Sequence, residues 1–193
     1  MPSKNLRNIL LLLAWESIAQ GLKTGKPLRI NLDDYPEELR QRKACFVVLK
    51  QKQLLRGCVG SIEPIRPLGE DVVENAFAAA FCDRHFMPLA DSEFDKTQIN
   101  ILLLSALEPM HCESQLELTQ QLRPHVDGLL IKDGTHHANL LPMAWDNFRT
   151  PLEFVNHLKQ QAGLPLTYWS KNTQIFRYTA ETLSDDSSNN ATH

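Results

Sequence analysis

An α+β fold with a mainly antiparallel sheet flanked by helices is what this sequence predicts, and three observations lead there. Two β-prone runs, residues 45–49 and 54–62, are separated by only four polar residues, a spacing suited to a hairpin. A second pair, 128–131 and 138–141, brackets Lys132-Asp133-Gly134-Thr135, whose Asp-Gly step is a strong hairpin signal. Helical stripes stand singly between these pairs, without a repeating strand-helix unit or an internal repeat, which argues against a doubly wound parallel sheet.

The elements follow in order. Lys4 and Arg7 precede Ile9-Leu10-Leu11-Leu12-Leu13-Ala14-Trp15, a pattern shared with the charged and apolar regions of an export leader. Glu16 interrupts it, and Leu6, Ile9, Leu10, Leu13 and Ile18 fall near helical spacing. With Ser3 as N-cap and Gly21 as stop, the segment reads as a docked amphipathic helix. Gly25-Lys26-Pro27 and Asp33-Asp34-Tyr35-Pro36 mark loops, with a short helix expected over 37–41. Pro64 and Pro67 end the second strand. Val73, Ala76, Phe77, Ala80 and Phe81 then form one stripe of a helix over 70–82, with Glu70, Asp71 and Glu74 on its other side near the positive end of the helix dipole. Ala78, Ala79 and Ala80 offer little bulk, so this helix can approach a sheet closely.

The apolar run 99–107 predicts a strand buried on both faces, and 115–122 a short helix. Leu152, Val155, Leu158 and Ala162 repeat at helical spacing before the stop at Gly163 and Pro165. Residues 174–183 alternate as a final strand, and 184–193 form a short polar tail, expected to be disordered.

Composition bounds the function classes. At 193 residues, 42% hydrophobic and 22% charged, the chain can bury one good core or two small ones. A formal charge of -3 leaves no basic excess, so nucleic acid is not an expected partner. No apolar run approaches the ~20 residues of a membrane-spanning helix. Cys45, Cys58, Cys82 and Cys112 form no C-x-x-C pair, so neither a zinc site nor a redox dithiol is expected, nor any cofactor. Reduced thiols and a cytoplasmic location are the corresponding expectations.

The most informative segment is Leu55-Arg56-Gly57-Cys58-Val59-Gly60-Ser61, because glycine weakens a strand unless a bulge, a bend or a close approach needs the missing side chain. Strict alternation places Arg56, Cys58 and Gly60 on one face. A guanidinium beside the thiol would favour the thiolate, making Cys58 a candidate nucleophile and Arg56 its activator. His85 is the candidate base, with Asn75 or Asp83 as orienting groups. The blander reading is that Cys58 packs as a small hydrophobe, that the glycines make room for the alanine-rich helix, and that Asp83 and Asn75 cap or turn the chain. His136-His137 would point to opposite faces of a strand, which disfavours a metal site there. Trp15, Trp145 and Trp169 read as core or interface anchors.

The same segment resembles the Leu-Arg-Gly-Cys-Ile-Gly-Ser hallmark of AMMECR1 proteins. Pro67-Leu68, Asp71-Val72-Val73-Glu74-Asn75-Ala76, Ala79-Ala80-Phe81, Asp83-Arg84-His85-Phe86-Met87-Pro88-Leu89, Asp127-Gly128-Leu129, Leu140-Leu141-Pro142 and Ala162-Gly163-Leu164 with Trp169 continue the resemblance in order. Departures from the pattern are Arg84 for proline, His85 for arginine, Met143 for glutamine and Gln161 for lysine. If the family's arginine and lysine hold an anion, this chain has lost two cations, and His85 can replace one in part.

The resemblance implies a single two-lobed domain over residues 1–183, with the cysteine segment near a cleft between the lobes. It also implies a pathway shared with a Memo-type dioxygenase-like protein and a radical SAM protein as partners. Two functional expectations follow. One is an accessory module that binds a small molecule or partner through Gly57, Gly60 and Ser61, with Asn75 and Asp83 nearby; the other is a cysteine-centred enzyme acting through Cys58, Arg56 and His85.

Overall fold

The computed structural model describes residues 4–185, in two compact units. The first runs through Leu104 and resumes at Glu181; the second spans Ser105–Ala180. The α+β class and the antiparallel pairing are as expected, but the strands divide between two four-stranded sheets.

In the first unit, α1 (Lys4–Thr24) and two short 3-10 turns, Leu32–Asp34 and Glu37–Arg40, lead into the hairpin of β1 (Cys45–Gln51) and β2 (Leu54–Gly60). The helix α2 (Leu68–Phe81), the single turn α3 (Asp91–Phe94) and β3 (Gln98–Leu104) follow. The sheet order is β2-β1-β3 and then β8 (Ala180–Ser184), so β2 is an edge strand. Lys52 and Gln53 turn the β1–β2 hairpin with φ of 49° and 66°, a left-handed pair that neither residue favours.

Leu10, Leu13 and Ile18 of α1, Val72 and Ala76 of α2, and Val47, Leu49, Ile99 and Ile101 of the sheet build one core. Gly21 does not stop α1. A Cβ there would lie 2.3 Å from the Phe81 ring, so the glycine serves helix packing, and the chain turns out of the helix at Gly25, with φ +69°. The expected cap Ser3 lies outside the described residues.

The second unit contains β4 (Glu108–Met110), α4 (Gln115–Gln121), β5 (Gly128–Asp133), β6 (His136–Leu140), a 3-10 segment (Pro142–Asn147), α5 (Pro151–Gln161) and β7 (Gln174–Tyr178), with sheet order β4-β7-β5-β6. Gly134 supplies the expected turn at φ +60°. Thr150 and Ser114 cap α5 and α4 by accepting from the N–H groups of Glu153 and Glu117. Trp145 stacks on Phe154 with ring centroids 3.9 Å apart, at the centre of a core with Leu118, Leu129, Ile131 and Leu158.

The expected final strand over 174–183 is two strands in different sheets. Thr179 separates them: its carbonyl accepts from the Ser105 N–H and its own N–H goes to Ser105 Oγ. The expected polar tail begins later than 184, since Ser184 lies in β8 and Asp185 is tied to Ile99 and to Trp15 Nε1. Residues 186–193 of that tail lie outside the described residues. No helix among the described residues is long and apolar enough to cross a membrane.

Candidate functional site

Strand β2 carries the glycine-flanked cysteine, and its register explains how. Leu49 pairs with Gly57 and Lys50 with Leu55, which leaves Arg56 unpaired as a β-bulge. Arg56 therefore leaves the face it would share with Cys58 under strict alternation. A Cβ on Gly57 would lie 2.1 Å from the Ala79 carbonyl oxygen of α2, and one on Gly60 would lie 2.4 Å from both the Cys45 carbonyl oxygen and the Phe46 ring. Gly57 makes room for the alanine-rich helix, as the blander sequence reading holds, whereas Gly60 makes room for the start of β1 and not for that helix. Ser61 donates its N–H to Cys45 and its hydroxyl to the Glu63 carbonyl, so it shapes the turn after the strand.

Arg56 is committed to Glu93. Its Nε donates to Oε1 at 2.9 Å and its Nη2 to Oε2 at 3.0 Å, a bidentate pair, while Nη2 also reaches the Met87 carbonyl at 3.0 Å. The Phe86 ring lies under the guanidinium at 5.8 Å. Gln51 and the Ala90 N–H donate to the same carboxylate. Bonding by Arg56 first, then by the Ala90 N–H, holds Glu93 at a pKa of about 2.

This corrects the expectation that Arg56 activates Cys58. The half-buried Cys58 thiol is pushed up to about 11, first by desolvation and then by the negative charge of Asp83, so it is a protonated thiol near neutral pH.

Asp83 joins three groups. Its Oδ2 accepts from the Cys58 backbone N–H at 2.8 Å, and Oδ1 accepts from the His85 N–H at 2.9 Å and faces His85 Nδ1 at 3.0 Å. Burial alone would raise its pKa, but the N–H groups of His85 and Cys58 and the His85 ring outweigh burial and hold it below the usual carboxylate range. Asp83 and His85 thus lie together, and Cys58 joins them through its backbone and not its sulfur. His85 is solvent-exposed, its side chain 85% accessible.

Asn75 is turned elsewhere, into a buried cluster that the sequence reading missed. Its amide donates to Asp71 Oδ2 at 3.0 Å, the Cys45 thiol donates to the same oxygen at 3.1 Å, and Arg66 Nε donates to Oδ1 at 2.9 Å. Asp71, expected on the polar side of α2, is 1% exposed. Its position one helical turn before Asn75 was the available signal, since residues four apart share a face. Burial first, then the charge of Asp71, raises the Cys45 thiol well above its ordinary value.

In the second unit, His136 Nδ1 meets the Ala162 carbonyl at 2.9 Å and His137 Nδ1 the Thr135 carbonyl at 3.3 Å; Asp133 lies across the hairpin from His136, but neither histidine forms an ion pair among the described residues. Among the described residues, no three His, Cys, Asp or Glu side chains are grouped to hold a metal ion.

The AMMECR1 family model matches residues 11–183. A protein of Methanothermobacter thermautotrophicus is 33% identical over 190 residues, covering 95% of this chain and 96% of that protein. Protein MK0488 of Methanopyrus kandleri is 30% identical over 186 residues, covering 92% and 87%. The crystal structure of uncharacterized protein PH0010 from Pyrococcus horikoshii matches with a TM-score of 0.82 at 29% identity, covering 90% of this chain and 88% of that one.

Proposed function

The chain belongs to the AMMECR1 family, and from that premise we propose that it is a non-catalytic binding module whose recognition surface is the 55–61 segment and the 83–89 loop tied to it. The observation that carries the reading is the pair of ties between them: Asp83 to the Cys58 N–H, and Arg56 to Met87 and Glu93. A loop fastened at both ends loses little entropy on binding. It displays Met87, 80% exposed, and His85, while β2 displays Leu54 and Leu55. Exposed apolar side chains on a rigid frame suit a protein partner. A Memo-type protein and a radical SAM protein are the partners that the resemblance suggests. A small molecule is the other ligand class for the same segment.

The cysteine-enzyme alternative needs a thiolate at Cys58, and burial with a neighbouring carboxylate opposes one. Site-resolved iodoacetamide labelling of the native chain against pH separates the two. The binding reading expects Cys58 to react more slowly than a model thiol below pH 8; faster reaction there restores the nucleophile. Co-expression with the Memo-type and radical SAM proteins of the same genome tests the partner. Co-elution with the wild type and its loss in Leu55→Asp/Met87→Asp, with an unchanged circular dichroism spectrum, is the expected result. Retention by the double variant would remove this surface from the interface.

A further inference from the structure

A concavity of about 300 Å³ on the first unit lies away from the cysteine segment, between the 28–30 loop and α2. Leu28, Ile30 and Val73 give it an apolar floor, Arg29 and Arg66 line it, and Glu70 and Glu74 line it from successive turns of α2. Its volume falls at the lower end of small-molecule sites, ~300–1,000 Å³, which suits a ligand of amino-acid size.

Arg66 is built into place. Its Nε is fixed by Asp71 at 2.9 Å, and that carboxylate is buried and held in turn by the Cys45 thiol and the Asn75 amide. A buried carboxylate is costly unless fully paired, and the outward-facing member of this network is the Arg66 guanidinium. Nε is the one nitrogen of that guanidinium with a partner among the described residues, so both terminal nitrogens keep their donors. Arg29, Glu70 and Glu74 form no ion pair or side-chain hydrogen bond among the described residues, although both signs of charge line one hollow. A ligand that carries both charges finds a partner for each, whereas a ligand of one charge also meets groups of its own sign. An anion alone meets Glu70 and Glu74; a cation alone meets Arg29 and Arg66.

We propose that this hollow binds a small zwitterion of the aliphatic amino-acid class, its carboxylate on Arg66 and Arg29, its ammonium between Glu70 and Glu74, and its side chain over Leu28, Ile30 and Val73. The planar fork of the anchored arginine matches a carboxylate, and residues four apart on a helix present two acids to one ammonium.

The test titrates the full-length chain, by 15N NMR, with L-norleucine and with its two single-charge relatives, hexanoate and pentylamine. Norleucine is expected to bind at least about tenfold more tightly than either relative, or roughly 1.4 kcal/mol, and to shift the Arg66 Nε–H resonance. Arg29→Gln and Glu74→Gln alter side chains that form no hydrogen bond or ion pair among the described residues. The first should weaken norleucine at least threefold while leaving pentylamine unchanged or tighter; the second should weaken norleucine while leaving hexanoate unchanged or tighter. No norleucine binding up to about 50 mM, a preference under tenfold over either relative, or affinity indifferent to both variants would overturn the assignment.

Discussion

Gly57→Ala is the sharpest test of why the hallmark segment contains glycine. The added Cβ would sit 2.1 Å from the Ala79 carbonyl oxygen and 3.0 Å from its carbon. A carbon–oxygen contact settles at about 3.3 Å or more, so β2 and α2 must part by roughly 1.2 Å. The obstacle is helix backbone, which cannot rotate aside as a side chain would. Overpacking of this kind costs ~1–3 kcal/mol, and backbone against backbone belongs at the upper end. For a chain of this size ~2–4 °C is lost per kcal/mol, which gives a fall in Tm of about 6–12 °C. Gly134→Ala is the control, since that glycine has φ +60° and open space around its Cβ position, leaving about 1 kcal/mol of backbone strain and a fall of ~2–4 °C. Thermal melts followed by circular dichroism compare the three proteins. A Gly57→Ala melt within about 2 °C of wild type would show that α2 does not require the glycine, and would return the position to the ligand-approach reading.

Three further predictions concern titrating groups. Glu93 has its folded pKa near 2, below the ordinary 4.5, so its pairing with Arg56 stabilises fully above the ordinary value and is lost as pH falls through about 2. With Glu93 29% exposed and partly screened, wild type should exceed Glu93→Gln by ~1–2 kcal/mol in urea unfolding at pH 7, converging toward pH 2; a gap independent of pH refutes the pairing. Asp83→Asn removes the charge that helps hold the Cys58 thiol up, so Cys58 should alkylate faster at pH 9 than in wild type, and equal rates would count against that charge. Lys159 is 1% exposed, with Nζ bonded to Gln115 Oε1 and the Leu166 carbonyl and the Trp169 ring 5.8 Å away. Burial lowers its pKa below 10.5, so the folded state binds fewer protons than the unfolded one, and stability should rise with pH from the lowered value up to about 10.5. Lys159→Met should lack that alkaline rise, and an identical slope in the variant defeats the argument.

The fold was largely legible because its signals are local. Hairpin turns at Lys52-Gln53 and Gly134, the apolar stripe of α2 and the stop at Gly163 each follow from residues a few positions apart. What escaped was set by distant partners. The run over 174–183 alternates well enough to read as one strand, and the pairing of Thr179 with Ser105, far back in the chain, breaks it in two. Gly21 looked like a helix stop because its other use, contact with Phe77 and Phe81, depends on a second helix.

The site was legible in its residues and illegible in its geometry, for one physical reason. Glycines in a β-prone run mark a close approach, and Gly57 and Gly60 are such points. Which side chains then share a face depends on register, and one unpaired residue at Arg56 removes the guanidinium from the thiol. The displaced arginine finds Glu93, a partner 37 positions on, and Asp83 takes the outward N–H of Cys58. Both contacts fall on the edge strand of the sheet, where unpaired backbone groups invite another strand. The residues expected to make a nucleophile therefore close that edge with the 83–89 loop. A partner strand added along β2 would have to displace Asp83 from Cys58, whereas a partner meeting Met87, His85 and Leu55 leaves every tie in place. Recognition by the loop surface is for that reason favoured over strand addition, and Asp83→Ala separates the two: it removes the acceptor and frees the Cys58 N–H, so binding should weaken if the loop is read and strengthen if the edge is.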